Sequence, residues 1–343
     1  MKKIFCSLLL IYSIILFFSA CSTKVDLYSD YKDITVVYGL LDSERDTNYV
    51  KINRAFMGPW DPEIAIPADS CDYPNKLDVK LIEYRSNASS NNFQKTREMI
   101  LDTVTIHNKE TGIFYAPDQL VYYTKEKINN NSSLYDYRYQ LEIDRGDTIL
   151  TAITDMVGGP SFSMHQAALS FNTVTAETGM VTWTPCPNAS IYEVVIDFNF
   201  VEVTDSNDSI PRCMTWSLGS HPTSTLQMQD GKYIVSYKTA MFYVNLESYL
   251  NKIGTIDNAH IKKRLILEPS LNVHIAAGGY ELYNFISVNG PSSSIVQNIP
   301  EYTNVNGGYG IFSSRTMLNK RMKLGGNTLP ELTSREWLFE QAR

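Results

Sequence analysis

Apolar and polar residues alternate along much of this chain with a period of two. From Tyr135 to Ile143 the order is Tyr, Asp, Tyr, Arg, Tyr, Gln, Leu, Glu, Ile. That order gives a strand one buried and one wet face. Val50 and Ile52 beside Lys51 and Asn53, Leu77, Val79 and Leu81 beside Asp78 and Lys80, and the run from Thr148 to Thr154 predict further short strands. Turn-rich segments separate them, including Gly58-Pro59-Trp60-Asp61-Pro62 and the stretch from Arg85 to Asn92. Strands spaced in this way predict an antiparallel β-sandwich over residues 33–157.

Gly158-Gly159-Pro160 interrupts strand propagation and predicts a boundary, with a second strand series over residues 158–343. The clearest local pattern follows it. A strand ends at Trp183, Pro185 and Pro187 make a turn, and Tyr192, Val194, Ile196, Phe198 and Phe200 recur at period two. This stretch resembles consecutive strands of a fibronectin type III module. The expected fold class is therefore mostly β, with two antiparallel β-sandwich domains of the immunoglobulin or fibronectin III kind and Trp183 packed between sheets. Leu246, Tyr249, Leu250 and Ile253 at helical spacing, and then residues 257–264, predict a helical insertion near 244–264. Thr333 and Glu336 match a capping box before Trp337, Leu338 and Phe339, which predicts a short C-terminal helix.

The N-terminus departs from the strand pattern. Lys2 and Lys3 precede a nearly uncharged apolar run from Ile4 to Phe18, then Ser19, Ala20 and Cys21. A positive start, a short apolar segment and small residues at the end read as an export signal over residues 1–20, too short to span a bilayer comfortably. The string FFSAC resembles a bacterial lipobox, which implies acylation of Cys21 and a lipidated tether over residues 21–32. The 343 residues carry a net charge of −7 with no basic cluster. That balance argues against nucleic acid as a partner and leaves acyl chains as the expected attachment to membrane.

No residue pattern announces chemistry. Cys71, Cys186 and Cys213 fit no zinc or redox spacing. Cys186 and Cys213 are the candidate disulfide, with free thiols as the alternative. His107, His165, His221, His260 and His274 are scattered, so no metal is expected. The chain lacks a Gly-x-Ser-x-Gly elbow, and Gly307-Gly308-Tyr309-Gly310 lacks the lysine of a phosphate loop, so it reads as a turn of positive φ. No catalytic residue and no cofactor is expected, although carboxylates converging from separate loops stay open. Trp60, flanked by Gly58, Pro59, Asp61 and Pro62, is a candidate ligand or partner contact; packing against the sandwich edge is the alternative. Asp102-Thr103-Val104, Asp147-Thr148-Ile149 and Asp208-Ser209-Ile210 resemble acceptor sites of exported Bacteroidota proteins, which makes Thr103, Thr148 and Ser209 candidate O-glycosylation sites.

Three further strings carry a wider likeness: VVYGLLD from Val36, YVKINRAF from Tyr49 and NGGYGIFSSR from Asn306. With the lipobox, they resemble a large group of Bacteroidota outer-membrane lipoproteins whose function is not established, some encoded near TonB-dependent transporters. The resemblance implies a lipid-anchored, non-enzymatic protein that binds a ligand or partner, with an outer-membrane transporter or a glycan as candidate partners. Few acidic residues follow Cys21 closely, so surface and periplasmic faces stay open. An adhesin or filament subunit donating Lys24 to Tyr38 as a strand is the structural alternative. A surface glycosidase or peptidase is the enzymatic one.

Overall fold

A parallel pairing between the two ends of the chain organises this molecule. The computed structural model describes residues 33–56, 72–88, 90–107, 118–173, 177–290 and 301–342. In the first half lie β1 (Asp33–Asp42), β2 (Asn48–Phe56), β3 (Asp78–Asn87), β4 (Gln94–Ile100), β5 (Asp102–Ile106), β6 (Gln119–Thr124), β7 (Tyr135–Asp144) and β8 (Ile149–Asp155). Next come β9 (Ala168–Ser170), β10 (Thr178–Trp183), β11 (Ile191–Thr204), β12 (Ser209–Pro222), β13 (Gln227–Gln229) and β14 (Lys232–Lys238). Helix α1 (Met241–Lys252), β15 (Ile261–Ile266), β16 (Leu271–Gly278) and α2 (Tyr280–Asn289) follow. The last elements are β17 (Val305–Asn306), β18 (Tyr309–Gly325), α3 (Thr328–Thr333) and β19 (Phe339–Gln341).

The fold is mostly β with small helices, as the alternation predicts. Its main sheet has eleven strands, nine of them in the order β19-β15-β11-β16-β18-β1-β2-β6-β5, with β12 added on β11 and β9 on β18. A five-stranded sheet, β17-β8-β7-β3-β4, covers the N-terminal part, and a three-stranded sheet, β10-β14-β13, covers the C-terminal part. Two cores result. One joins Val37, Leu41, Val50 and Ile52 of the main sheet to Leu81, Tyr139 and Leu141 of the five-stranded sheet. The other joins Val194, Ile196, Phe198 and Val273 to Trp183, Val235 and the apolar face of α1. Trp183 is fully buried, and its ring lies 5.3 Å from that of Tyr192 across the two sheets. Complete burial of a large apolar side chain contributes about 1.5–3 kcal/mol.

Met156 belongs to the first core and Val157 to the second, so the cores change over beside Gly158. The backbone does not divide there. Strand β1 runs parallel to β18, with Tyr38 opposite Ile311 and Asp42 opposite Arg315. The same β18 pairs with β16 further along, and β17 joins β8 in the five-stranded sheet. Two hydrophobic cores, meeting beside Gly158, are therefore linked by one continuous sheet. Strand β1, part of the segment expected as a donor in the filament alternative, is paired on both sides within its own chain.

Two helix expectations need correction. Residues 257–264 form a turn and then β15, because Asn258 and His260 take positive φ values of 59° and 63° that end any helical run. At the C-terminus α3 ends at Thr333, where a helix was expected to begin. Leu338 has φ 58°, and Phe339 continues as β19, parallel to β15. Sheet pairing beyond the reach of local pattern decides both segments.

Candidate functional site

The strongest candidate site is an open groove of about 600 Å³ at the seam between the two ends of the chain. Strand β1, the β1–β2 hairpin, β18 and α2 supply its walls. Alternation along β1 buries Val37 and Leu41 in the core and turns Tyr38, Leu40 and Asp42 the other way. Gly39 is required between them, because a Cβ there would meet Phe312 Cδ2 at 2.9 Å. Helix α2 contributes Leu282, Phe285 and Ile286. The Tyr38 and Phe285 rings meet edge to face at 6.3 Å.

One end of the groove is ionic. Asp42 is buried, and its Oδ2 lies 3.7 Å from Arg45 Nε and 3.6 Å from Arg315 Nε. The hairpin holds this arrangement through Asn48, whose Oδ1 accepts from Asp42 N at 2.7 Å while its Nδ2 donates to Asp42 O at 3.1 Å. Among the described residues, Asp42 is the carboxylate within ion-pair distance of either arginine. The separations exceed those of short charge-assisted hydrogen bonds, so the guanidinium forks keep donors for another oxygen acid. Tyr38 and Tyr49 stand about half exposed, at 47 % and 48 %. Half-exposed tyrosines beside arginines form the composition of binding surfaces.

A second cluster crosses the main sheet on β12, β11, β16 and β18. Thr215 donates to Asp197 Oδ1 at 2.7 Å, and His274 Nε2 lies 3.1 Å from Asp197 Oδ2. His274 Nδ1 lies 2.6 Å from Asn319 Oδ1. Cys213 lies beside this row, and burial followed by the Asp197 carboxylate pushes its thiol pKa up. The residue types match a nucleophile array, but their order does not. In such arrays the histidine stands between nucleophile and acid. Here Asp197 stands between, and both nitrogens of His274 are occupied by oxygen partners. The row ties four strands together and activates no thiol.

The sequence-derived candidates fall apart from the groove. Cys21, Trp60 and Cys71 lie outside the described residues, as do the export signal and the tether up to residue 32. The candidate disulfide is not formed: Cys186 is a buried free thiol and Cys213 an exposed one. Cys186 N donates to Tyr192 Oη, whereas Cys213 sits opposite Asn199. From position 192 to 199 an extended strand covers about 23 Å, and a bridge requires Cα atoms within about 7 Å. Burial raises the Cys186 thiol pKa to about 12. Thr103 is half-buried in β5, and Thr148 and Ser209 are exposed at strand starts or turns.

His107 faces Asp118 and His260 faces Asp205, far apart in the fold, and among the described residues no group of three metal-ligating side chains converges. The first half of the glycine-rich string is a turn, with Gly307 at φ 84°, while Tyr309 and Gly310 already belong to β18, where Gly310 keeps a positive φ of 102°. Sequence reasoning missed the groove. Its available signal was Tyr38, an aromatic residue in the outward phase of β1, where alternation expects a polar side chain. No family model matches the chain, and no curated protein matches it.

Proposed function

We propose that this chain is a non-enzymatic, lipid-anchored envelope protein that binds a ligand or partner at the outer membrane through the seam groove, in a role accessory to TonB-dependent uptake. The groove is the observation that carries the reading: two half-exposed tyrosines, the apolar side of α2 and two arginines sharing one buried carboxylate converge there. The leader ending at Cys21 supports the anchor. Tethered by residues 21–32, the chain enters β1 at Asp33, and the groove begins at Tyr38 and runs toward Asp42 at the far end of that strand. Asp33 and Leu40 are separated by about 23 Å of extended chain, so the groove is carried away from the anchored end.

Two measurements test the two halves of this reading. Cell fractionation of Cys21→Ala is expected to move the protein from the membrane to the soluble fraction; continued membrane retention contradicts the anchor. A ligand array of glycans, peptides and lipids, probed with the wild-type chain and with Ile286→Arg, is expected to yield ligands that only the wild type retains. An array on which both proteins behave alike contradicts the groove as the binding site.

A further inference from the structure

We propose that the seam groove, together with the aromatic stripe that continues it, takes an acidic oligosaccharide built from uronic acid units; this rests on the groove being the binding site. Four rings form the stripe. Phe285 meets Tyr38 at 6.3 Å, and Tyr49 meets Tyr123 at 6.3 Å on the neighbouring strand. Tyr38 pairs across the ladder with Lys51, so Tyr49, two residues away on the same strand, is its diagonal neighbour on one face. The rings thus step from α2 across β1 and β2 to β6. Tyrosine faces carry negative quadrupole charge and attract the C–H edges of a sugar ring laid over them.

Along the stripe Arg45, Arg315, Lys51 and Lys125 stand beside two carboxylates, Asp42 between the arginines and Asp102 opposite Tyr123, the latter paired with Lys76, so the balance is basic against the net charge of −7 of the chain. Arg45 and Arg315 stand at the groove end, and Lys125 Nζ lies 5.9 Å from the Tyr123 ring centroid. Lys51 stands between Tyr38 and Gln119, to which it donates at 2.8 Å. Glu44 and Asp46 sit on the same hairpin, outside the groove lining. A uronic acid unit offers both halves of this complement, a flat C–H face for a ring and a carboxylate for a guanidinium fork.

An acidic peptide matches the charge but not the backbone. Extended peptides gain affinity by adding a strand to an open sheet edge. Strand β1 is paired by β18 and β2, and β2 by β1 and β6, so the strands that carry Tyr38 and Tyr49 offer no such edge; the sheet edge lies two strands from Tyr49, at β5. A sugar chain needs none. The half exposure of Tyr38 and Tyr49 also fits a ligand lying across the surface in place of one enclosed within it.

Calorimetric titration of the mature chain with trigalacturonate and trimannuronate, beside cellotriose and tetraglutamate, tests the assignment. At least one uronate is expected to bind, with cellotriose and tetraglutamate weaker by about tenfold or more. Tyr38→Ala and Tyr49→Ala are each expected to weaken uronate binding about tenfold while retaining the folded circular dichroism spectrum. Arg45→Gln and Arg315→Gln are expected to weaken it and to flatten its salt dependence. Tetraglutamate binding as tightly as the uronates, or uronate binding indifferent to both tyrosine variants, overturns the sugar assignment. If neither uronate binds while another array ligand binds in a Tyr38-dependent way, the sugar assignment falls and the groove stands. If nothing binds through Tyr38 or Tyr49, the groove falls with it.

Discussion

Tyr38 of β1 and Phe285 of α2 meet nearly at right angles, their ring planes inclined by 85° and their centroids 6.3 Å apart. The contact joins strand β1 to a helix almost 250 residues later, and both rings line the groove. Edge-to-face aromatic pairs contribute about 0.5–1.5 kcal/mol beyond buried area. Phe285→Ala is therefore expected to lower the free energy of unfolding by about 1–2 kcal/mol in urea titration, and to speed amide exchange selectively in α2.

The β1–β18 seam depends on Gly310. It has φ 102°, and a Cβ there would stand 2.0 Å from Val37 O. Neither the strand backbone nor the parallel register can yield to such an overlap without separating the seam. Gly310→Ala is expected to cost on the order of 3 kcal/mol or more. Gly146 also has positive φ, 88°, but open space around it. Gly146→Ala is expected to cost only the conformational price of about 1–2 kcal/mol, and comparison of the two denaturation curves separates steric from torsional strain.

Strand content was legible because alternation is a local signal: β7, Tyr135–Asp144, covers the whole predicted run from Tyr135 to Ile143, and Trp183 packs in the core. The shared sheet was not legible. It rests on β1 meeting β18, a pairing between positions such as 38 and 311 that no local pattern encodes. Arg264 illustrates the same limit. As sequence it falls at the end of the helical insertion predicted up to residue 264, whereas in the fold it is a fully buried member of β15 bonded to Glu202. The groove was illegible for a related reason, since Tyr38, Arg315 and Phe285 become neighbours only when the seam closes.

Glu202 and Arg264 are both 0 % exposed and joined at 3.0 Å, with Arg212 and Thr255 completing the set around the carboxylate. Burial by itself pushes the Glu202 carboxyl pKa up, but the hydrogen bonds from Arg212, Thr255 and Arg264 outweigh it and hold the pKa below the usual value. This group therefore contributes stability above the ordinary carboxylate range, and that contribution is lost as pH falls through its lowered value. Arg264→Met removes one of the two arginines on the Glu202 carboxylate, leaving Arg212 and Thr255 to hold it, and is expected to cost about 1.5–3 kcal/mol at neutral pH, with a smaller loss in acid, measured by urea denaturation at both conditions.

Glu281 has the opposite sign. Burial, first, and then the neighbouring charge of Asp155 push its carboxyl pKa up, despite hydroxyls of Thr154 and Ser313 donating to it at 3.1 Å and 3.2 Å. Asp155 itself is paired with Arg138 at 2.6 Å. A raised folded value means the Glu281 contribution is fully present below the ordinary carboxylate range and is lost as pH rises through that raised value. Glu281→Gln is expected to raise the denaturation midpoint at pH 8 and to leave it nearly unchanged at pH 4. A lower midpoint at pH 8 contradicts this reading of the helix contact.

Hydroxyl-radical footprinting of the tightest ligand from the array tests the central claim most directly, because it reads side-chain exposure where the claim is made. Tyr38 and Tyr49 start 47 % and 48 % exposed, and Met228, remote on β13, starts 55 % exposed. Saturating ligand is predicted to suppress oxidation of Tyr38 and Tyr49 and to leave Met228 unchanged. Unchanged oxidation of both tyrosines, with protection instead on the row through Thr215, Asp197 and His274, would contradict the groove as the working site of this protein.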